Sequence, residues 1–292
     1  MQGDSPPKRG IPQPIRGGPI KFGPYLLEAR IAVGGTAEVY LARPIHTTST
    51  EAGGSSPPAP SRLVVKRLLP HFLNDPEGRT MFSREADLHA AVHHENVVDV
   101  YGSGNSDNGE PYLAMEYIDG VDVYRLLRRF RHEGRLPPPY ISVHIIVEIL
   151  KALESVHAAT DEKGTPLGII HRDVTPSNLY LSKDGRVKLG DFGIARSTSR
   201  ATMRNAASAM LKGKIAYLAP EQVAGEPFDH RADLFSVASV LAEMLIGKAL
   251  FPGAGQLAIL LAIRDCRIDP LREAKGSLPP GLFEVLERAL MR

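Results

Sequence analysis

Two short acidic motifs constrain this chain more than any other feature. The first is His171-Arg172-Asp173-Val174-Thr175-Pro176-Ser177-Asn178, and the second is Asp191-Phe192-Gly193. Their aspartates stand 18 positions apart. Between them lie two apolar runs, Leu179-Tyr180-Leu181 and Val187-Lys188-Leu189, on either side of Asp184-Gly185. Short β-forming runs flanking an Asp-Gly turn read as a hairpin. A hairpin folds its ends together, so Asp173, Asn178 and Asp191 converge. Two carboxylates and an amide oxygen are hard ligands suited to Mg²⁺ beside phosphates. A turn aspartate and an Asx-capping asparagine would account for either motif alone; the order and spacing of both favour the metal reading.

The surroundings suggest two lobes, which a length of 292 residues can accommodate. The first 24 residues hold six prolines and five glycines. Such a segment is expected to bury too little apolar area to offset its ordering entropy, so residues 1–24 read as a flexible tail. Residues 47–61, TTSTEAGGSSPPAPS, read as a flexible insert between two strands. Tyr25 to Arg43 alternates like a hairpin turning at Gly34-Gly35. Leu63 to Lys66, Val97 to Tyr101 and Tyr112 to Tyr117 read as strands, and Thr80 to Val92 as a helix. Beyond Gly120 the period changes. Ile145, Ile146, Ile149, Leu150, Leu153 and Val156 recur at helical spacing, and Ala232 to Ile246 is a second apolar helix. The expected class is α+β: a small antiparallel sheet lobe with one helix over 25–118, and a larger, mainly helical lobe over 119–292. Ligands favour the cleft between such lobes.

Composition narrows the function. Lys and Arg number 35 against 33 Asp and Glu, a formal +2, so charge gives no case for nucleic acid. The single cysteine, Cys266, excludes an intrachain disulfide framework and a Cys-rich zinc site. No run approaches the roughly 18 apolar residues of a membrane span, and no signal-peptide core opens the chain. A cytoplasmic protein is expected, with tethering by a region outside this chain left open.

With these motifs in this order, the chain resembles the eukaryotic-like protein kinases, particularly the Ser/Thr type of bacteria, from about Tyr25 onward. The resemblance implies transfer of the γ-phosphate of ATP, with Mg²⁺, to Ser or Thr hydroxyls of a protein substrate. It identifies Ile31, Ala32, Val33, Gly34, Gly35, Thr36, Ala37, Glu38 and Val39 with the Gly-rich phosphate loop, although Ala stands at two of its three glycine positions. It makes Lys66 the phosphate-holding lysine and Glu85, 19 positions on, its helix partner. Val64, Met115, Glu116, Ile118, Asp122 and Tyr180 are implied around the nucleotide, with Met115 as gatekeeper and Asp122 on the ribose. Asp173 is implied to orient the acceptor hydroxyl, and Asn178 and Asp191 to hold the metal. Asp233 matches the helix aspartate that fixes the catalytic-loop backbone. Ala219-Pro220-Glu221 closes an activation segment in which Ser197, Thr198, Ser199, Thr202 and Ser208 are candidate phosphorylation sites facing Arg172. Self-association for autophosphorylation is the further contact implied.

Three departures qualify the match. The family's lysine two positions after the catalytic aspartate is Thr175 here, while the Thr of its Gly-Thr-x-x-Tyr motif is Lys214, in Gly213-Lys214-Ile215-Ala216-Tyr217. An exchange is expected, with the Lys214 ammonium working beside Asp173 and Thr175 supplying the hydroxyl. The family's further helix, with the arginine that pairs with the Ala-Pro-Glu glutamate, is not matched after Gly281–Arg292, so either a last helix is missing or Glu221 lacks its usual partner and the large lobe is less stable. Two rival readings stay open. One is a pseudokinase that binds nucleotide and signals by shape, favoured by Thr175, Ala32 and Ala37. The other is a small-molecule kinase sharing the fold.

Overall fold

A computed structural model describes residues 12–45, 60–192 and 214–292. The chain divides into two units, Met1–Ala90 with Val98–Ile118, and Ala91–Val97 with Asp119–Arg292. Among the described residues, no helix is long and apolar enough to cross a membrane.

The first unit is an antiparallel sheet of β1 (Gln13–Pro14), β2 (Ile20–Phe22), β3 (Tyr25–Val33), β4 (Ala37–Pro44), β5 (Leu63–Leu68), β6 (Val100–Asn105) and β7 (Pro111–Glu116). Its order is β1-β3-β4-β5-β7-β6, with β2 also paired to β3. Strands β4 and β5 are antiparallel neighbours, Ala37 facing Leu68 and Ala42 facing Leu63. The segment expected as a flexible insert connects them, and 46–59 lie outside the described residues. Helix α1 (Pro76–Ala90) packs on β6 and β7 and buries Phe82, Glu85, Ala86 and His89. It starts a turn earlier than expected because Asp75 caps it, accepting the Glu77 N–H at 3.1 Å.

The expected tail is corrected over residues 13–22. Gln13 and Pro14 pair with Arg30 and Ala29, and Ile20 to Phe22 pair with Leu27 to Tyr25. Phe22 is 6% exposed in a core with Leu27, Tyr40, Leu63, Val65 and Tyr112, onto which Ile15 and Tyr25 also pack. The Tyr112 ring meets Tyr25 edge-on at 5.4 Å and Phe22 at 6.1 Å. Burying one such aromatic is worth about 1.5–3 kcal/mol, which composition alone undervalued. Two glycines that argued for disorder instead make the turn between β1 and β2: Gly17 and Gly18 have φ +93° and +96°. Residues 1–11 lie outside the described residues.

The second unit holds a small sheet, β10-β9-β8, of β8 (Gly120–Asp122), β9 (Leu179–Ser182) and β10 (Val187–Leu189). Among the described residues its α-helices are α2 (Val123–His132), α3 (Pro139–His157), α4 (Pro220–Ala224), α5 (Arg231–Ile246), α6 (Gln256–Arg264), α7 (Asp269–Glu273) and α8 (Leu282–Ala289). Helix α5 is buried from Phe235 through Leu245, as a helix apolar on every side must be. Helix α3 packs Ile145, Ile149, Ala152 and Val156 inward and lies against α5 and β10. The run expected as a strand from Val97 divides: Val97 bridges Leu189 within the second unit, and β6 begins only at Val100.

Candidate active site

In the first unit, β5 buries Leu63, Val64, Val65 and Leu68 and delivers Lys66, opposite Val39 on β4 and Leu113 on β7. Its Nζ donates to Glu85 Oε1 at 2.5 Å. The two side chains are 13% and 7% exposed, so this is a largely desolvated ion pair. Desolvation offsets most of the attraction in such a pair, and its main effect is to hold a flexible ammonium in one place. Ile31, Ala32 and Val33 end β3, and Ala37, Glu38 and Val39 begin β4, with Ala32 opposite Val39. Gly34, Gly35 and Thr36 make the turn, closed by the Gly34 N–H on the Ala37 carbonyl at 2.7 Å. The Glu38 carboxylate is taken up within the sheet. Its Oε2 accepts from Arg67 Nε at 3.0 Å, Arg67 Nη2 at 2.8 Å and the Tyr40 hydroxyl at 3.0 Å. The carboxylate therefore braces the sheet, and only the Glu38 backbone remains for the loop. Val64 and Met115 are cross-strand partners, with Glu116 next on β7 and Ile118 just beyond it. The Glu116 N–H donates to the Asp99 carbonyl at 2.8 Å.

In the second unit, Asp122 stands opposite Tyr180 on the β8–β9 ladder and caps α2, accepting the Arg125 N–H at 2.7 Å. The segment around Asp173 is held from beneath by Asp233, which is 1% exposed. Asp233 accepts the backbone N–H groups of His171 and Arg172 at 2.8 Å each, and also His157 Nε2 at 2.8 Å. These charged bonds offset the cost of Arg172 at φ +66°, a conformation that side chains other than glycine rarely adopt. The guanidinium of Arg172 lies over the Phe228 ring. Burial pushes the His171 imidazole down from its ordinary pKa. Its Nδ1 accepts the Asp173 N–H at 3.3 Å, so the neutral ring carries its proton on Nε2.

The expected convergence is present. Asn178 Nδ2 donates to the Asp173 carbonyl and to Asp173 Oδ2, each at 2.8 Å. Across the hairpin, the Gly190 N–H donates to the Asn178 carbonyl at 3.0 Å, which brings Asp191 beside it. Asp191 also has positive φ, +56°. Lys214 Nζ donates to Asp173 Oδ2 at 2.5 Å. The Thr175 half of the expected exchange differs: its hydroxyl is paired with Ser177 Oγ at 3.0 Å. Gly193, Gly213 and the candidate phosphorylation sites between them lie outside the described residues.

One group went unnoticed in the sequence. Glu243, buried on α5, accepts from the Tyr217 hydroxyl on one oxygen and from Arg131 on the other. The available signal was a glutamate inside an apolar helix, a charge that needs partners.

These features define a protein kinase fold, a sheet lobe and a mainly helical lobe, and the family model described as the protein kinase domain matches residues 60–279. The chain belongs to the protein kinase family. It is 37% identical over 272 residues to the tyrosine-protein kinase MasK of Myxococcus xanthus, covering 92% of this chain and 40% of that protein. It is 36% identical over 281 residues to the probable serine/threonine-protein kinase SCO3848 of Streptomyces coelicolor, covering 94% and 37%. It is 34% identical over 273 residues to the serine/threonine-protein kinase PknB of Mycolicibacterium smegmatis, covering 92% and 40%. The chain thus spans about two fifths of the length of these relatives. Among solved structures, a point mutant of the kinase domain of Mycobacterium tuberculosis PknI superimposes with a TM-score of 0.60 at 27% identity, covering 93% of this chain and 89% of that one.

Proposed function

We propose that this chain is a catalytic domain that transfers the γ-phosphate of ATP to Ser or Thr hydroxyls of proteins. The observation that carries the reading is the pair of hydrogen bonds that Asn178 donates to Asp173. It fixes the carboxylate that would orient the acceptor hydroxyl, and it uses the amide nitrogen of Asn178, so the amide oxygen keeps its capacity to accept. That oxygen and the Asp191 carboxylate are hard donors, and they fit Mg²⁺. Among the described residues no cluster of three or more His, Cys, Asp or Glu forms a metal cage. This suits an ion held by one or two protein groups together with phosphates. When bound, Mg²⁺ supplies charge neutralisation on the triphosphate.

Lys66, held by Glu85, binds phosphate oxygens in this reading. The turn at Gly34 and Gly35 offers backbone N–H groups to them, without the Glu38 carboxylate. Val64, Met115, Ile118 and Tyr180 bound the adenine, Glu116 offers backbone groups to its edge, and Asp122 reaches the ribose while its second oxygen caps α2. Asp173 orients the acceptor hydroxyl, so the chain contributes positioning and electrostatics rather than covalent chemistry. Retention of Lys66, Glu85, Asp173, Asn178 and Asp191 speaks against a pseudokinase. Phosphorylation in the segment 197–211 would regulate the domain, with two copies phosphorylating one another in the cytoplasm, where ATP is abundant. The nearly balanced charge gives no support for a nucleic-acid partner.

A tyrosine acceptor is the second reading, favoured by the 37% identity to a protein named a tyrosine kinase. Incubation with Mg-ATP labelled at the γ-phosphate, followed by phosphoamino-acid analysis, separates the two. Phosphoserine or phosphothreonine, abolished by Asp191→Ala, is expected. Phosphotyrosine alone would replace the first reading with the second, and no transfer to any acceptor would remove both.

A further inference from the structure

We infer that Lys214 is a positioning residue of phosphoryl transfer: its ammonium holds the Asp173 carboxylate and keeps positive charge beside the acceptor hydroxyl. The inference rests on the reading of Asp173 given above.

Three observations carry it. First, the contact is a desolvated one: Lys214 is 15% exposed and Asp173 5%. Lysine is rarely buried this far without a partner, because an unpaired ammonium loses its hydration. Second, Asp173 Oδ2 receives both Lys214 Nζ and Asn178 Nδ2, so the cation joins the very group that Asn178 orients.

Third, the backbone that carries Lys214 is pinned rather than loose. The Tyr217 N–H donates to the Lys214 carbonyl at 3.3 Å, closing a turn whose Ile215 is buried. The Tyr217 carbonyl accepts from Ser236 Oγ at 2.7 Å, and its hydroxyl donates to Glu243. Arg131 holds the other oxygen of Glu243 and donates from Nε to the Gly247 carbonyl at 2.8 Å. Burial and the neighbouring Glu243 charge push the Tyr217 phenol well above its ordinary pKa, so it stays a donor. Helices α2 and α5 thus aim the lysine.

In the reaction, the acceptor oxygen forms a bond to the γ-phosphorus. The bond from that phosphorus to the β-phosphate oxygen breaks, with its electron pair leaving on the nucleoside diphosphate. The hydroxyl proton passes to the Asp173 carboxylate and then to solvent. Negative charge is spread over the transferred oxygens in such a step, and a nearby fixed cation is complementary to it. Thr175, a neutral hydroxyl paired with Ser177 Oγ, carries no such charge.

The test compares wild type, Lys214→Met, Lys214→Arg and the double variant Thr175→Lys/Lys214→Met, with Mg-ATP and dephosphorylated casein. Affinity for Mg-ADP is measured by calorimetry alongside. Lys214→Met is expected to lose about 100-fold in kcat, the scale of one lost transition-state donor. KM values and Mg-ADP affinity are expected to stay within about threefold, because the loss falls on the transition state. Lys214→Arg is expected to fall between the two. A lysine at position 175, two residues from Asp173, is expected to restore at least about tenfold, a non-additivity that a purely structural role does not produce. A Lys214→Met enzyme with wild-type kcat overturns the inference while leaving the proposed function standing. So does loss of Mg-ADP binding together with activity in both single variants, which would mark a folding role. A wild type that phosphorylates nothing instead overturns the proposed function on which the inference rests.

Discussion

Lys66 and Glu85 meet at 2.5 Å although 19 residues separate them, one on the central strand β5 and the other on the inner face of α1. Each is expensive to bury alone and tolerable in company. Removing one partner is therefore expected to cost more than removing both. Glu85→Leu strands a buried ammonium and is expected to destabilise the chain by about 3–5 kcal/mol. Lys66→Met/Glu85→Leu is expected to cost less than the sum of its single changes, because the apolar pair fills the same space. Urea unfolding of the four proteins gives the coupling directly. Equal, additive losses would mean that the two charges stand in solvent and do not hold each other. All three variants are expected to lack phosphoryl transfer.

The same logic applies beneath the catalytic loop. Asp233 accepts two backbone N–H groups with its two oxygens, and a hydrogen bond to a charged group is worth about 1.5–3 kcal/mol. Asp233→Ala is expected to cost about 3 kcal/mol or more and to release Arg172 from its positive φ. Asp233→Asn keeps one accepting oxygen and is expected to cost roughly half as much. If chemical unfolding ranks the two variants the other way, Asp233 is not the clamp described.

This difference in range also explains what could be read from the sequence. Asp173, Asn178 and Asp191 were legible because a short hairpin, with its own turn signal, brings them together. Lys66 and Glu85 were legible only through family spacing, since nothing local to Glu85 marks it as buried rather than solvated. The β1–β2 segment was misread because its evidence is non-local: Phe22 is ordered by Tyr112, ninety residues away in the chain. The engagement of the Glu38 side chain was hidden for a related reason. The neighbours of Glu38 in sequence belong to the phosphate loop, but its cross-strand partner on β5 is Arg67, which its side chain meets. Arg131, Tyr217 and Glu243 come from three distant segments, and no periodicity connects them.

Gly120 offers a steric test of how the Asp122–Tyr180 register is held. A Cβ there would lie 1.9 Å from the Leu181 carbonyl oxygen and 2.8 Å from Ser182 Cα. Both are backbone, so neither can swing aside. Gly120→Ala must push β8 off β9, and overpacking of this kind costs about 1–3 kcal/mol or more. It is also expected to weaken nucleotide binding, because Asp122 and Tyr180 share that ladder. Gly35→Ala is the control: nothing lies within 4 Å of its Cβ, and its melting temperature is expected to hold or rise. A Gly120→Ala protein that melts with wild type would mean that the two strands are not this close.

His171 makes stability depend on pH in a predictable direction. Burial depresses its folded pKa below the ordinary value of 6.5. The unfolded chain therefore takes up a proton near pH 6.5, while the folded state resists it. The contribution of the neutral ring is complete above pH 6.5 and is lost as the pH falls below that value. Protonation at Nδ1 would also displace the Asp173 N–H that this nitrogen accepts. His171→Asn keeps an acceptor near the same place without titrating. Between pH 7.5 and 5.5, urea unfolding is expected to show wild type losing more stability than His171→Asn. The difference is bounded by about 1.4 kcal/mol for each pH unit below 6.5. Parallel losses in the two proteins would mean that the ring is reached by solvent and protonates in the folded state as it does in the unfolded chain.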